Sequence, residues 1–197
     1  MPSGRGSQRS CPGLVSGGRG NAAAVRTRLN KTVVLIGMMG AGKTAVGTAL
    51  ARLLSVPFLD SDEALAAAAN RSIAEIFERD GEAFFRQKET QVLARLLLGP
   101  PCVLSTGGGA FLAPQNREMI ADHGVAVWLK ADLDLLWARV RHKATRPLLR
   151  TPNPRETLRQ IFDARQPIYA EAGLVVEARP DYSVDDMTQH VLAALLT

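Results

Sequence analysis

Acidic residues are missing from the first 30 positions of this chain, which hold five arginines: Arg5, Arg9, Arg19, Arg26 and Arg28. These arginines account for the whole net charge of +5, because the other basic residues of the 197-residue chain are balanced by its 19 acidic residues. A protein that binds polyanions through a general electrostatic surface carries its positive charge on the folded domain. The neutral remainder therefore predicts no nucleic-acid partner.

Cysteines, histidines and long apolar runs are also scarce. The two cysteines, Cys11 and Cys102, do not form a disulfide framework, which is typical of a reducing compartment. The histidines have no partners at metal-ligand spacing. No apolar run approaches the roughly 20 residues that span a bilayer. We therefore expect a cytoplasmic protein without a membrane segment or a transition-metal site.

Large apolar residues are almost absent from residues 1–30, which are rich in Gly, Ser and Arg. Such a segment cannot bury enough surface to offset the entropy lost on ordering, so we predict a disordered basic extension. It lacks the apolar region of a secretory signal. Its Arg- and Ser-rich composition resembles an organellar transit peptide, although it is short for one, and an extension from an upstream bacterial start site is the simpler alternative.

What the sequence does contain is a phosphate-binding loop. Residues 37–44 read Gly-Met-Met-Gly-Ala-Gly-Lys-Thr, which fits the pattern G-x-x-x-x-G-K-[ST]. The apolar run 32–36 predicts a strand before the loop and residues 45–53 predict a helix after it, which is the context that this motif requires. In such a loop the backbone N–H groups point at phosphate oxygens, Lys43 reaches the β- and γ-phosphates, and the Thr44 hydroxyl binds Mg²⁺.

Strands and helices alternate along the rest of the chain. Short apolar runs at 56–59, 102–105, 125–129 and 174–176 predict further strands, and the segments between them predict helices. Short, continuously apolar strands that alternate with helices are typical of a parallel sheet covered on both faces. We predict a single α/β domain over residues 31–197, with three layers (α/β/α) and a central parallel sheet of about five strands.

Ligands of such sheets bind beyond the carboxyl ends of the strands. There the second strand delivers Asp60 and Asp62, and the third delivers Gly107–Gly109. On an extended chain both carboxylates face the same way, so one can hold Mg²⁺ through water and the other can accept or orient a hydroxyl proton. A polar strand end that caps the next helix explains the acidic pair equally well. The glycine triplet indicates a close backbone approach to a ligand or to another segment.

Cationic residues recur near these strand ends. Arg86 and Glu89 lie at i, i+3 on a predicted helix and can pair, although a solvated surface pair is the simpler interpretation. Residues of about 142–155 are basic and contain prolines; beside a phosphate loop they predict a lid that clamps phosphate and excludes water, with a solvated loop as the alternative. Arg165 could be a further anion clamp, or could pair weakly with Asp163.

Taken together, these segments resemble the shikimate kinase family, whose members are small enzymes similar to nucleoside monophosphate kinases. The resemblance covers about residues 31–197. Its pieces are the phosphate loop at 37–44, Phe-Leu-Asp-Ser-Asp at 58–62, Ser-Ile-Ala-Glu-Ile-Phe at 72–77, Gly-Glu-Ala-Phe-Phe-Arg-Gln-Lys-Glu at 81–89, Ser-Thr-Gly-Gly-Gly-Ala at 105–110, Arg-Pro-Leu-Leu at 146–149 and Arg-Gln-Pro-Ile-Tyr at 165–169. The phosphate loop alone indicates a superfamily, whereas the ordered set is specific to this family.

The resemblance implies a P-loop kinase fold with a lid. It also implies transfer of the γ-phosphoryl group of ATP to the 3-hydroxyl of shikimate, which gives shikimate 3-phosphate in the pathway to the aromatic amino acids. Shikimate and ATP would be the small-molecule partners and Mg²⁺ the cofactor, and we expect a monomer. The implied catalytic residues are Lys43, Asp62 and Arg146. The implied ATP-binding residues are Gly40, Ala41, Gly42, Lys43, Thr44, Ala45, Arg139 and Arg146.

The resemblance also implies a site for shikimate. Its residues would be Asp62, Arg86, Gly107, Gly108, Gly109 and Arg165. Glu89 would hold Arg86 in place as a supporting partner that does not itself touch the substrate. Thr44 would bind Mg²⁺ directly and Asp60 would bind it through water. Phe77, Phe85 and Pro147 could wall the pocket.

Departures from the family pattern are few. Ala41 and Thr44 stand where Ser is often found, and both are chemically acceptable. Residues 179–184, which are expected to cover one face of adenine, do not clearly match. Two other functions fit part of the chain. A small P-loop kinase for a sugar acid such as gluconate would not need this set of acids and arginines, and a non-catalytic nucleotide-binding protein would be expected to lack Lys43, Asp62 or a substrate arginine.

Overall fold

The computed structural model describes residues 30–142, 147–149 and 151–197. The predicted disordered extension lies outside these ranges except for its last residue. Part of the predicted lid, Arg146 included, also lies outside them. The helices of the described residues include none that is long and apolar enough to cross a membrane.

The central sheet of the described residues has five parallel strands: β1 (Thr32–Ile36), β2 (Phe58–Asp60), β3 (Val103–Ser105), β4 (Gly124–Lys130) and β5 (Leu174–Glu177). Their spatial order is β2-β3-β1-β4-β5, and each neighbouring pair is parallel. Every residue of β1 and β3 is buried, as expected for strands covered on both faces. The predicted parallel sheet is confirmed, with β2 beginning two residues later than the apolar run that predicts it.

Helices flank this sheet, which confirms the predicted α/β/α class. They are α1 (Lys43–Leu54), α2 (Ser61–Ala69), α3 (Ile73–Leu97), α4 (Pro114–His123), α5 (Leu133–Val140), α6 (Pro154–Tyr169) and α7 (Val184–Leu195). Short 3₁₀ turns cover Ala110–Leu112 and Pro147–Leu149. Helix α1 packs against α7, α3 against α4, and α5 against α6. Helix α6 begins at Pro154, so the last two residues of the segment predicted as a lid, 142–155, belong to this helix.

Reciprocal side-chain caps fix the start of two helices. Ser72 Oγ accepts from the Glu75 backbone N–H at 3.2 Å, and the Glu75 carboxylate accepts from the Ser72 N–H at 2.8 Å. Ser183 and Asp186 make the same contacts at the start of α7. Each box satisfies backbone N–H groups that have no partner inside the helix. The spacing of a serine and an acid three residues later predicts both caps, and the structure confirms them.

Helix α3 is interrupted at Gly81, whose φ of 81° and ψ of 173° are not helical. The sequence predicts two helices separated at this glycine, and the structure has one element with a break at that point. A Cβ at this position would meet nothing within 4 Å, so the left-handed backbone conformation rather than space favours glycine there. The part of α3 after the break carries Arg86 and Glu89.

The apolar residues form two clusters. The main core lies around β1, β3 and β4, where Leu35, Leu104 and Leu129 are at most 1% exposed. A smaller cluster lies between α2 and α3 and contains Leu65, Ile76, Phe85 and Val92. Helices α2 and α3 thus have a small apolar core of their own beside the edge strand β2. The carboxyl ends of the strands meet at one edge of the sheet, because all five strands are parallel.

Candidate active site

The loop between β1 and α1 presents its backbone to the site. Gly40 and Gly42 have φ values of 85° and 97°, in the left-handed region that residues with side chains rarely adopt. Gly42 is the N-cap of α1, and because it has no side chain it does not cap the N–H groups of the first turn. The N–H groups of that turn, together with the positive end of the helix dipole, form a site for an anion.

Two cationic side chains border this loop. Lys43 Nζ donates to the carbonyl oxygens of Gly37 at 2.9 Å and Met38 at 3.1 Å. Arg139 of α5 donates from Nη1 to the Gly40 carbonyl at 3.3 Å. Positive charge beside a cradle of backbone N–H groups favours a phosphate chain.

A cavity of about 650 Å³ lies over the loop. It is lined on one side by the predicted ATP-binding residues of the described chain, namely Gly40, Ala41, Gly42, Lys43, Thr44, Ala45 and Arg139. It is lined on the other side by Asp60, Asp62, Gly107 and Gly108. The predicted nucleotide residues and part of the predicted substrate residues therefore share one cavity.

The acidic pair lies at the junction of β2 and α2. Asp60 ends β2 and caps α2, since its Oδ1 accepts from the N–H groups of Asp62 at 2.9 Å and Glu63 at 3.4 Å. The Ala-rich run 63–70 predicts a helix that begins at Glu63, but α2 begins at Ser61, so Asp62 lies in its first turn. The premise of an extended chain through both residues is wrong, yet both side chains line the cavity. Asp60 thus caps the next helix, as the alternative interpretation expected, and Asp62 lines the cavity.

The glycine triplet after β3 is where the charged side chains converge. A Cβ built on Gly107 would lie 2.7 Å from Asp62 Oδ1 and 3.1 Å from Glu89 Oε1. A Cβ on Gly108 would lie 3.3 Å from Arg165 Nη1, and one on Gly109 would overlap the Arg86 guanidinium. Three helices thus bring two carboxylates and two guanidinium groups against one stretch of bare backbone. Glycine permits this close approach, since a Cβ at residue 107 or 109 would force the facing charged side chain to shift.

Arg86 and Glu89 form a partly buried ion pair. Arg86 Nη1 donates to Glu89 Oε2 at 2.9 Å, and the Glu89 side chain is only 3% exposed. Burial, the largest influence, raises the pKa of Glu89, and the hydrogen bond from Arg86 lowers it in part. Burial lowers the pKa of Arg86, but its contacts with Glu89 and Glu82 outweigh this and raise it. The pair is therefore not the solvated surface pair that its spacing alone favours.

Arg165 and Tyr169 reach the triplet from α6. Arg165 Nη1 donates to the Gly108 carbonyl at 3.1 Å, and the Tyr169 hydroxyl donates to the same oxygen. Asp163 pairs with Arg159 at 3.1 Å instead, so the alternative of a weak contact between Asp163 and Arg165 is not what the structure has. Arg165 is thus directed to the triplet.

One wall of the cavity comes from the segment 179–184, which the family resemblance places over one face of adenine, and from Met187 just after it. Tyr182, Ser183, Val184 and Met187, at the start of α7, line the cavity within and beside the segment that does not match the family pattern. The Tyr182 ring stacks on His190, with centroids 4.8 Å apart. Sequence reasoning thus missed Met187 but not the segment before it.

Some predicted residues cannot be placed, or lie elsewhere. Arg146 is outside the described residues, and of Pro147 only the backbone is described. Phe85 is 4% exposed in the cluster between α2 and α3, and its ring lies 4.4 Å from that of Phe77. Neither ring is among the residues that line the cavity over the phosphate loop, and neither are the predicted substrate residues Arg86, Gly109 and Arg165. That the two rings wall the shikimate pocket stays a prediction. Phe85 lies 5.1 Å below the Arg86 guanidinium.

Fold and site together define the class of the protein. A parallel sheet with a phosphate loop after β1, and with acids and arginines gathered at the glycine triplet after the neighbouring strand β3, is that of a P-loop kinase. The family model described as shikimate kinase matches residues 39–196. The chain belongs to the shikimate kinase family.

Known proteins agree with this assignment. The shikimate kinase of Cereibacter sphaeroides is 68% identical over 92% of this chain and 90% of that protein. The shikimate kinase of Ruegeria pomeroyi is 65% identical over 90% of this chain and 89% of that protein. The solved structure of shikimate kinase from Acinetobacter baumannii in complex with shikimate has a TM-score of 0.81, with 38% identity over 86% of this chain and 94% of that one.

Proposed function

We propose that this chain transfers the γ-phosphoryl group of ATP to the 3-hydroxyl of shikimate and so forms shikimate 3-phosphate in aromatic amino-acid biosynthesis. The observation that carries the proposal is the convergence of Asp62, Arg86 and Arg165 on the glycine triplet beside the phosphate loop. Shikimate is a small ring that bears one carboxylate and three hydroxyls. A site for it needs cations, hydroxyl acceptors and little bulk, which this arrangement offers.

In this proposal, Arg86 and Arg165 bind the carboxylate of shikimate. A guanidinium is a planar fork that matches a carboxylate with two parallel hydrogen bonds. Glu89 holds Arg86 by the hydrogen bond of 2.9 Å, so less rotamer entropy is lost when the substrate binds. Backbone N–H groups of Gly107–Gly109 bind a ring hydroxyl, since no side chain blocks their approach.

Asp62 accepts the proton of the attacking hydroxyl. The 3-hydroxyl oxygen forms a bond to the γ-phosphorus as the bond from that phosphorus to the β–γ bridging oxygen breaks, which leaves ADP. Transfer of this kind depends mainly on positioning and on stabilising charge. Lys43 and Arg146 stabilise the charge on the transferring group, the latter from the predicted lid. Arg139 stacks on adenine.

Mg²⁺ fits the residues present as a partner of the nucleotide phosphates. The described residues include no group of three or more His, Cys, Asp or Glu side chains that could hold a metal alone. Magnesium, however, is usually bound by one or two protein oxygens together with phosphates and water. Thr44 and Asp60 offer such hard oxygens on the cavity wall. Thr44 would bind the ion directly and Asp60 through water, and the ion would neutralise phosphate charge.

A coupled assay of ADP release tests the proposal. We expect the purified protein to turn over ATP with shikimate, and not with gluconate or quinate at the same concentration. Asp62→Asn should lower kcat by about 10²-fold or more, because the proton acceptor is lost. Asp163→Asn is its matched control, since Asp163 pairs with Arg159 on the surface of α6. Turnover with gluconate alone would overturn the substrate assignment, and near-normal kcat in Asp62→Asn would overturn the role of Asp62.

We also propose that the protein is a cytoplasmic monomer that binds neither nucleic acid nor membranes. Size-exclusion chromatography with light scattering tests the oligomeric state, and a dimer mass would contradict it. A shift assay with DNA at low and high salt, with and without residues 1–30, tests nucleic-acid binding; a shift that depends on these residues would contradict the proposal.

A further inference from the structure

Tyr169 has no part in the function proposed above, yet it is tightly built into the site. It lies at the end of α6, is 1% exposed and is the largest of the fully buried side chains in the described chain. Its ring packs against Trp128 of β4, with centroids 6.0 Å apart. Packing of this kind explains an aromatic ring at this position but not a hydroxyl group, because a buried hydroxyl without a partner destabilises the fold.

The hydroxyl finds its partner in the glycine triplet. It donates to the Gly108 carbonyl oxygen, which also accepts from Arg165 Nη1 at 3.1 Å. A carbonyl oxygen has two lone pairs, so it can accept both hydrogen bonds. Arg165 and Tyr169 are four residues apart on α6, and this spacing places both donors on one face of the helix. Two side chains of α6 therefore hold a single peptide group.

The peptide group that they hold sets the direction of a backbone donor. The carbonyl of Gly108 and the N–H of Gly109 belong to one planar trans peptide and point in opposite directions. Glycine on both sides gives this peptide more freedom to rotate than any other residue would. The two donors from α6 remove that freedom, so the Gly109 N–H is directed away from α6.

We propose that Tyr169 is a positioning residue for the acceptor pocket: its hydroxyl fixes the Gly108 carbonyl, and thereby orients the Gly109 N–H and the Arg165 guanidinium for an anionic polyol. The inference rests on the proposed function and deepens it. Burial, the largest influence, raises the pKa of Tyr169, so the hydroxyl keeps its proton and remains a donor at neutral pH.

The test is Tyr169→Phe, which keeps the ring and removes the hydroxyl. We expect the KM for shikimate to rise about fivefold, the factor expected from one hydrogen bond, while the KM for ATP changes by less than about twofold. Thr32→Val is the matched control. Thr32 is a buried hydroxyl at the other end of β1, where it accepts from the Cys102 N–H at 3.4 Å. Thr32→Val should lower the melting temperature by about as much as Tyr169→Phe does, and should leave the KM values for shikimate and for ATP unchanged.

A double-variant cycle keeps the inference testable even if Tyr169→Phe is less stable. In an Arg165→Ala background, Tyr169→Phe should raise the KM for shikimate by less than about twofold, because one of the groups that it orients is gone. Full additivity of the two changes would overturn the inference. So would equal rises in both KM values, or an unchanged KM for shikimate in Tyr169→Phe.

The wild-type protein separates this inference from the proposed function. If the wild type does not phosphorylate shikimate, the proposed function fails, and this inference fails with it. If the wild type phosphorylates shikimate and Tyr169→Phe has the same KM for it, only the role of Tyr169 is wrong.

Discussion

The nucleotide half and the acceptor half of the proposed site are built in different ways. The phosphate loop is a continuous stretch of chain whose backbone makes the site, with Gly40 and Gly42 in left-handed conformations. The acceptor half is assembled from side chains on α2, α3 and α6, which meet at bare backbone after β3. A backbone cradle can bind any phosphate chain, whereas the placement of separate side chains selects one acceptor. In the proposed function, phosphate binding thus depends on a local segment of the chain, and the choice of acceptor depends on the tertiary fold.

The largest effect is expected where a side chain of the loop takes part in chemistry. Lys43→Ala should lower kcat by about 10³-fold or more, since the charge that develops on the transferred phosphoryl group loses its nearest cation. Steady-state assays with shikimate and ATP measure this. Lys88→Ala is the control, because Lys88 contacts Gln91 on α3 and is not among the residues that line the cavity. If turnover by Lys43→Ala stays within about tenfold of the wild type, the backbone of the phosphate loop is sufficient for catalysis without the lysine.

Arg86→Ala should act on the acceptor half alone. We expect the KM for shikimate to rise by about 10- to 100-fold, because a charged hydrogen-bonding partner of the carboxylate is lost, with the KM for ATP little changed. Arg159→Ala is the matched control, since Arg159 forms comparable i, i+3 and i, i+4 ion pairs on the surface of α6. Equal effects on both substrates would remove the distinction between the two halves.

Much of the fold could be predicted from the sequence because it is encoded locally. Apolar runs predict all five strands within two residues, and serine–acid spacing predicts the caps at Ser72 and Ser183. The phosphate loop is equally local, because glycine and lysine at fixed spacing determine its conformation. Strand ends also point to Asp60, Asp62 and the glycine triplet as candidates, whereas their individual roles came from resemblance to a family.

The remainder depends on contacts between distant parts of the chain. The role of Asp60 as a helix cap depends on where α2 begins, and the helix starts two residues before the predicted position. Glu89 is buried because α3 lies against the triplet, and its spacing from Arg86 is the same as in a surface pair. The hydrogen bond from Tyr169 to Gly108 joins residues that are 61 positions apart. No local pattern encodes such contacts.

A smaller effect is expected from adding one methyl group at the boundary of the two halves. In Gly107→Ala the new Cβ would lie 2.7 Å from Asp62 Oδ1, so this carboxylate must shift. We expect the KM for shikimate to rise about tenfold, because misplaced groups weaken binding. Gly173→Ala is the control, since its Cβ would meet nothing within 4 Å. Identical kinetics of the two variants would show that the triplet tolerates side chains.

The smallest effect concerns the buried carboxylate of the acceptor half. Burial raises the pKa of Glu89 above 4.5, so its ionised form is less favourable in the folded protein than in the unfolded chain. Its contribution to the free energy of unfolding is therefore greatest below the unfolded pKa and declines as the pH rises through the folded pKa. Glu89→Gln cannot ionise and should lack this decline. Urea unfolding at several pH values from about 4 to 7 measures the difference between the two proteins; a constant difference would contradict the shift.

The central claim is that two guanidinium groups beside the phosphate loop recognise the carboxylate of the acceptor. It is tested most directly by comparing kcat/KM for shikimate with kcat/KM for its methyl ester, which lacks the negative charge. We predict that the wild type prefers shikimate by about 100-fold or more, and that this preference falls to less than about tenfold in the Arg86→Ala, Arg165→Ala double variant. The same preference in both proteins would contradict the account.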